Sequence, residues 1–276
     1  MRIDSHHHVW DLAVRDQPWT ADLPALRRSF ALSDVQPALA ANHFDRTVIV
    51  QTITVADETP ELLGLAQAEP TVAGVVGWLD LTVPDVPTRL AALGAQPGGE
   101  SLVGIRHQVQ GETDPRWLCR PDVRRGLAAV AEAGLTYDLL VVPPQLPAAI
   151  ETAAALPELR FVLDHAGKPD IAHDGLDGWR AHIVELGALP NVAVKLSGLV
   201  TEAGPGWTVD QLRPYAGVLF DAFGPDRIMF GSDWPVCLLV TSYDVWVDAA
   251  EQLTAELSEA ERAAVFGGAA ARWYGL

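Results

Sequence analysis

The residues with the clearest chemical potential are histidines near the amino terminus, in the stretch IDSHHHVWD (3–11). Side chains two apart on an extended strand project to the same face, so His6 and His8 point together while His7 points away. Two imidazoles on one face form a nitrogen clamp for a metal ion. A purification-tag remnant is the alternative, but apolar residues follow directly, which indicates part of the folded chain. Asp4 is expected to orient the pair.

Two later segments add ligands of the same kind. Asp164-His165 ends the run LRFVLDH, and Asp233 follows the apolar run RIMFG. A carboxylate after an apolar run is costly to bury alone, so Asp233 is either paired or functional. A histidine after an aspartate could also merely satisfy a loop. Taken together, His6, His8, His165 and Asp233 predict a mononuclear divalent metal site with room for water.

Cations also occur in otherwise apolar runs. Arg106-His107 follows LVGI, and Lys195 lies within VAVKLSG. Each cation could polarise or orient a substrate oxygen. The alternative is a structural ion pair with a carboxylate such as Asp138 or Asp164.

The elements that would position these residues are eight short, nearly continuous apolar runs, as expected of parallel strands covered on both faces. The runs are RIDSHHH, RTVIVQ (46–51), TVAGVVGWLDL (71–81), SLVGIRHQV (101–109), LTYDLLVV (135–142), LRFVLDH (159–165), NVAVKLSG (191–198) and DRIMFGSD (226–233). Helical segments alternate with them, for example 121–134 and 209–224, and Ser258 begins a capping box. The pattern predicts an α/β fold, a single (β/α)₈ TIM barrel over 1–276. An open doubly wound sheet is the alternative, but its glycine-rich loop after the first strand is replaced by histidines.

The composition of the chain excludes some classes of binding partner. The 276-residue chain has 19 Lys and Arg against 36 Asp and Glu, a formal charge of −17. Phosphate backbones and anionic membranes would be repelled, so we expect no nucleic-acid or membrane partner. Two cysteines without CxxC spacing and no secretory signal pattern predict a cytoplasmic protein.

These motifs together resemble the lactonase branch of the amidohydrolase superfamily. The resemblance rests on IDSHHHVWD, GIRHQVQ, VLDHAGKP, VKLSGL and MFGSDWPV, in this order across nearly the whole chain. It implies a barrel in which His6, His8, His165 and Asp233 match the family's metal or catalytic positions. Binuclear members carry a lysine on strand four and a histidine on strand five, where this chain has GIRHQV and TYDLLV. The resemblance therefore implies at most one divalent ion, Zn²⁺ or Mn²⁺, and a pyrone-lactonase branch works without one.

The implied reaction is hydrolysis of a lactone, a small-molecule substrate. Water attacks the carbonyl, and Asp233 takes its proton and later delivers it to the ring oxygen. The metal, Arg106 or His107 stabilises the oxyanion. A decarboxylase with a similar ligand set is one rival. A sugar-binding barrel without activity is another.

Substrate contacts are predicted from residues close to strand ends. Trp78 and Trp234 offer flat apolar faces for a neutral ring, while Gln51 and Lys195 offer polar contacts. A dicarboxylate would need several cations, and few can be placed near the site. We therefore expect a sugar lactone of the L-fuconolactone or L-rhamnonolactone type, with 2-pyrone-4,6-dicarboxylate as the alternative.

Overall fold

The computed structural model describes all residues, 1–276. Eight parallel strands form one sheet in sequential order. Their bounds are β1 Ile3–His7, β2 Arg46–Val50, β3 Val72–Gly77, β4 Leu102–His107, β5 Thr136–Leu139, β6 Arg160–Leu163, β7 Val192–Leu196 and β8 Ile228–Phe230. All eight predicted strands are confirmed, each somewhat shorter than its apolar run.

The sheet closes on itself just beyond the ends of β1 and β8. His8 N donates to Trp234 O at 2.7 Å, and Asp233 N donates to His6 O at 2.8 Å. These two bonds join the last strand to the first, so the fold is a barrel and not an open sheet. They also bring the two most suggestive sequence motifs side by side.

Eleven α-helices cover the barrel. They are α1 Leu32–Ala41, α2 Glu58–Ala68, α3 Val86–Gly94, α4 Pro121–Glu132, α5 Leu146–Ala155, α6 Leu176–Gly187, α7 Leu199–Ala203, α8 Val209–Phe223, α9 Tyr243–Leu253, α10 Glu259–Ala263 and α11 Ala269–Tyr274. The predicted apolar stripe of α4 is confirmed, because Val123, Leu127 and Val130 are fully buried. The Ser258 capping box is also present. Within the structure, no helix combines the length and apolar character needed to cross a bilayer.

The core has two parts. A large cluster lies between strands and helices, and a smaller one gathers strand residues such as Ile3, Val48 and Met229. The smaller cluster includes Tyr274, so the last helix α11 packs against it. Apolar side chains thus share the barrel with polar ones, which lie toward the carboxyl ends of the strands, where (β/α)₈ enzymes carry their active sites.

Candidate active site

A cavity of about 430 Å³ opens at the carboxyl ends of the strands. Its size is within the range of small-molecule sites. Side chains from several strand ends and the loops that follow them line it: His8, Trp19, Thr52, Thr54, Arg106, His107, Gln108, Gln110, Gly111, Glu112, Leu140, His165, Lys168, Asp233 and Val236.

At this cavity three imidazoles and one carboxylate converge. Asp233 Oδ1 lies 3.4 Å from His8 Nε2, 3.7 Å from His6 Nε2 and 3.8 Å from His165 Nε2. His6 Nε2 and His8 Nε2 are 3.1 Å apart. Ligand atoms at the corners of a tetrahedral zinc site lie about 3.3 Å apart, as follows from bonds of about 2.0–2.1 Å. His6, His165 and Asp233 each offer a ligand atom within 4.8 Å of the other two, and His8 Nε2 lies beside His6 and Asp233, so these side chains could gather around a single metal ion.

The remaining ring nitrogens of His8 and His165 support the same interpretation. His8 Nδ1 donates to Val50 O at 2.7 Å, and His165 Nδ1 is 2.9 Å from Ser197 Oγ. These contacts allow the Nε2 lone pairs of both rings to face the shared point, which is the usual arrangement around a metal-binding histidine. His6 Nδ1 instead accepts from Lys195 Nζ at 3.1 Å and lies 3.3 Å from Asp164 Oδ1. The residues present therefore fit a divalent ion.

The pKa values of His6, His165 and Asp233 are shifted in the directions that favour binding of a cation. Burial lowers the pKa of His165 to about 4, and burial with the Lys195 charge holds the pKa of His6 well below its usual value. Burial alone would raise the pKa of Asp233, but the charges of the surrounding imidazoles, that of His165 first, hold it well below the usual range. At neutral pH Asp233 is ionised, while His6 and His165 are neutral.

Asp4 contributes through the backbone. Its Oδ1 accepts from His6 N at 3.2 Å and from Ser232 N at 2.8 Å, and its Oδ2 accepts from Tyr243 Oη at 3.1 Å. The predicted orienting role thus acts on the two chain segments that carry the histidines and Asp233. No contact joins Asp4 to an imidazole ring.

Beneath the histidines lies a set of buried charged residues that we call the floor: Arg106, Asp138, Asp164 and Lys195. Lys195 Nζ is 2.6 Å from Asp138 Oδ2 and 2.9 Å from Asp164 Oδ1, and Arg106 Nη1 is 2.9 Å from Asp164 Oδ2. Burial, opposed by the Lys195 charge, raises the pKa of Asp138 to about 6. With Asp233 included, three carboxylates face two cations, and the excess negative charge favours an incoming cation.

One side of the cavity is formed by the loop after β4, which we call the wall: His107, Gln108, Gln110, Gly111 and Glu112. Three hydrogen bonds hold it in place. Gln108 Nε2 donates to Thr52 O at 2.8 Å, Gln110 N donates to Leu140 O at 3.0 Å, and Gln145 Nε2 donates to Val109 O at 2.7 Å.

None of the four predicted substrate contacts lines the cavity. Lys195 is fully buried in the floor, which is the ion-pair alternative stated for it. Gln51 is also buried, and its Oε1 accepts from Arg106 Nε at 3.0 Å. Trp234 packs edge-on against Phe30. Trp78 stands behind the wall, with Nε1 donating to His107 Nδ1 at 3.0 Å. The structure thus gives these four side chains supporting positions: Lys195, Gln51 and Trp234 are buried, and the half-buried Trp78 is bonded to His107.

The cavity residues that sequence reasoning missed lie mainly in loops. Trp19 is the one tryptophan in the lining, and Gln108, Gln110 and Glu112 come from the wall. The signal for the wall was present, since these residues directly follow a strand end in GIRHQVQGE. Trp19 had no such signal, because it follows β1 at a distance.

Fold and site together define a class: a (β/α)₈ barrel enzyme with a histidine–carboxylate centre at the carboxyl ends of its strands. A sequence model of the amidohydrolase family matches residues 3–276. The chain belongs to this family.

Individual relatives are similar over their full length. An L-fucono-1,5-lactonase of Burkholderia multivorans is 43% identical over 289 residues, covering 100% of this chain and 96% of that protein. A second L-fucono-1,5-lactonase, from Burkholderia ambifaria, is 40% identical and covers 99% of this chain and 95% of that protein. A crystal structure of a B. multivorans amidohydrolase with bound zinc aligns with a TM-score of 0.95 at 41% identity, covering 100% and 99% of the two chains.

Proposed function

We propose that this protein hydrolyses a neutral sugar lactone of the L-fucono-1,5-lactone or L-rhamnonolactone type to the open-chain aldonic acid. The observation that carries the proposal is Asp233, an ionised carboxylate in the cavity lining beside three imidazoles. The 40–43% identity to two L-fucono-1,5-lactonases supports the substrate class.

In this mechanism Asp233 accepts a proton from the attacking water as its oxygen adds to the lactone carbonyl. When the tetrahedral intermediate collapses, the bond to the ring oxygen breaks and Asp233 returns the proton to that oxygen. The product is a hydroxy acid, and no covalent enzyme intermediate forms.

We assign stabilisation of the oxyanion to Arg106. Gln51 and Asp164 accept most of its N–H groups, and its Nη1 lies 3.4 Å from His6 Nε2, next to the centre. His107, the other candidate from the sequence, has both ring nitrogens hydrogen bonded, to Trp78 and to Glu112. It is therefore held as part of the wall, whereas Arg106 lines the cavity and supplies a permanent positive charge next to the centre.

His6, His8, His165 and Asp233 would hold one divalent ion, Zn²⁺ or Mn²⁺, and such an ion when bound supplies Lewis-acid polarisation of a carbonyl or water. The donor set supports this assignment, because imidazole suits these ions better than Mg²⁺. The zinc in the similar B. multivorans crystal structure supports the same choice.

The proposal is tested by a pH-indicator screen of aldonolactones with wild type and Asp233→Asn. We expect acid release without CO₂ from at least one sugar lactone, and loss of turnover in Asp233→Asn. Gas evolution from an aromatic acid would instead indicate a decarboxylase. Binding of sugar lactones by both proteins, with turnover by neither, would overturn the enzymatic role.

A further inference from the structure

The side chain of Glu112 is the one part of the wall whose charge the proposed mechanism does not use. It lines the cavity with its side chain 32% exposed. Its Oε1 lies 2.8 Å from His107 Nε2, and its Oε2 has no hydrogen-bond partner within the protein. One carboxylate oxygen is therefore held, and the other is available to a ligand.

The hydrogen bonds of His107 determine which of its ring nitrogens carries the proton. The indole N–H of Trp78 donates to His107 Nδ1 at 3.0 Å, so this nitrogen must accept and carries no proton. The ring proton is then on Nε2 and is donated to Glu112. The His107 ring also stacks on Trp117, with centroids 4.2 Å apart and planes 9° apart. The imidazole is thus locked as a neutral donor, and the negative charge of Glu112 remains.

No cation forms an ion pair with Glu112. The ion pairs of the structure join Glu112 only to His107, whereas Lys168, the other cavity cation besides Arg106, lies 3.7 Å from Glu202. Arg120 is near enough for its pKa to be raised partly by Glu112, but it is paired with Asp122 at 2.6 Å. Besides Asp233, Glu112 is the only acid in the lining. A fixed negative charge in a partly enclosed cavity favours hydroxyl donors and disfavours ligand carboxylates.

We propose that Glu112 is a specificity-determining residue: its free carboxylate oxygen accepts a hydrogen bond from a hydroxyl of the lactone ring and excludes rings that carry carboxylates at that position. Two residues position Glu112. His107 holds one of its carboxylate oxygens, and Trp78 keeps His107 neutral and fixed. This inference rests on the proposed function, and it explains why the cavity would select a neutral polyol lactone.

The test is the isosteric change Glu112→Gln, with Glu112→Ala as a second variant. For a sugar lactone, kcat/KM should fall by about tenfold, mainly through KM, because a charged acceptor is replaced by a neutral one. The dissociation constant of 2-pyrone-4,6-dicarboxylate, measured by titration calorimetry, should also fall by about tenfold in Glu112→Gln. Glu151→Gln is the matched control, since it removes the same charge from an exposed ion pair outside the cavity.

The outcomes separate this inference from the proposed function. If wild type and Glu112→Gln bind the dicarboxylate equally well, the exclusion role is overturned, whatever the enzyme hydrolyses. An unchanged KM for the sugar lactone would overturn the hydroxyl contact. If neither protein hydrolyses any sugar lactone, the proposed function fails, and the calorimetric comparison still decides whether Glu112 repels anions.

Discussion

The floor and the wall place charged side chains around the same cavity, but in opposite ways. In the floor, Lys195 has two carboxylate partners within 3 Å and no exposed surface. In the wall, Glu112 has a single neutral partner and a free oxygen. Charges that satisfy one another maintain geometry, whereas a charge left open acts on the ligand. We therefore expect changes at the floor residues outside the cavity lining, Lys195, Asp138 and Asp164, to reduce stability, and changes at Glu112 in the wall to alter substrate choice.

The largest effect should come from Lys195→Met. It leaves Asp138 and Asp164 buried without their shared cation, and breaking a buried pair costs about 3–5 kcal/mol. Urea unfolding should show this loss in free energy of unfolding.

The matched control is Lys168→Met, at the cavity. Its pairing with Glu202 is long and partly exposed, so the cost should stay within about 1 kcal/mol. Equal destabilisation by both changes would remove the distinction between buried and cavity-facing charges.

Two neighbouring histidines, one at the cavity and one buried, should differ in their effect on activity. His8 lines the cavity, whereas His7 is fully buried and both its ring nitrogens lack partners. His8→Ala should reduce kcat/KM by more than the about 10- to 100-fold typical of residues that only support a metal ligand. Zinc content should fall in parallel. His7→Ala should keep most of the activity, and similar losses in both variants would contradict the assigned centre.

A smaller effect is expected from Tyr274→Phe, on the floor side. Tyr274 Oη donates to Asp138 Oδ2 at 2.8 Å from the last helix. Losing a hydrogen bond to a charged group should cost about 1.5–3 kcal/mol of stability, with kcat/KM for different lactones reduced in equal proportion. A change in the ranking of lactones would mean that the floor also selects substrates.

The smallest effect should come from Trp78→Phe, which removes the donor to His107 behind the wall. A neutral hydrogen bond contributes about 1 kcal/mol, so stability should change little. KM for the sugar lactone should rise while kcat changes less, because Glu112 loses its fixed partner. A fall in kcat at constant KM would place His107 in the chemistry instead.

The sequence was sufficient for the strands and for the proximity of His6, His8, His165 and Asp233, whose roles stay predictions. Apolar runs defined the barrel, the two-residue spacing put His6 and His8 on one face, and burial cost identified Asp233. These are local signals, and the strand-end rule converts them into a common location. Helix boundaries are less well defined by such signals: α6 begins at Leu176, within PDIAHDGLDG (169–178), whose glycines and aspartates are typical of a loop.

The roles of Lys195, Trp78 and Trp234 depended on information that the sequence lacks. Whether Lys195 faces substrate or carboxylates is decided by Asp138 on β5 and by Asp164 directly after β6. Only the closed barrel brings both within 3 Å of Lys195. Proximity of a tryptophan to a strand end does not fix its direction. Trp234 turns toward Phe30 and Trp78 toward His107.

The account is tested most directly by measuring kcat/KM of the wild-type protein for L-fucono-1,5-lactone and for 2-pyrone-4,6-dicarboxylate side by side. An ionised Asp233 in a cavity whose wall carries an open carboxylate predicts a preference for the neutral lactone of about tenfold or more. A preference of that size for the dicarboxylate would contradict both the proposed substrate class and the role of Glu112.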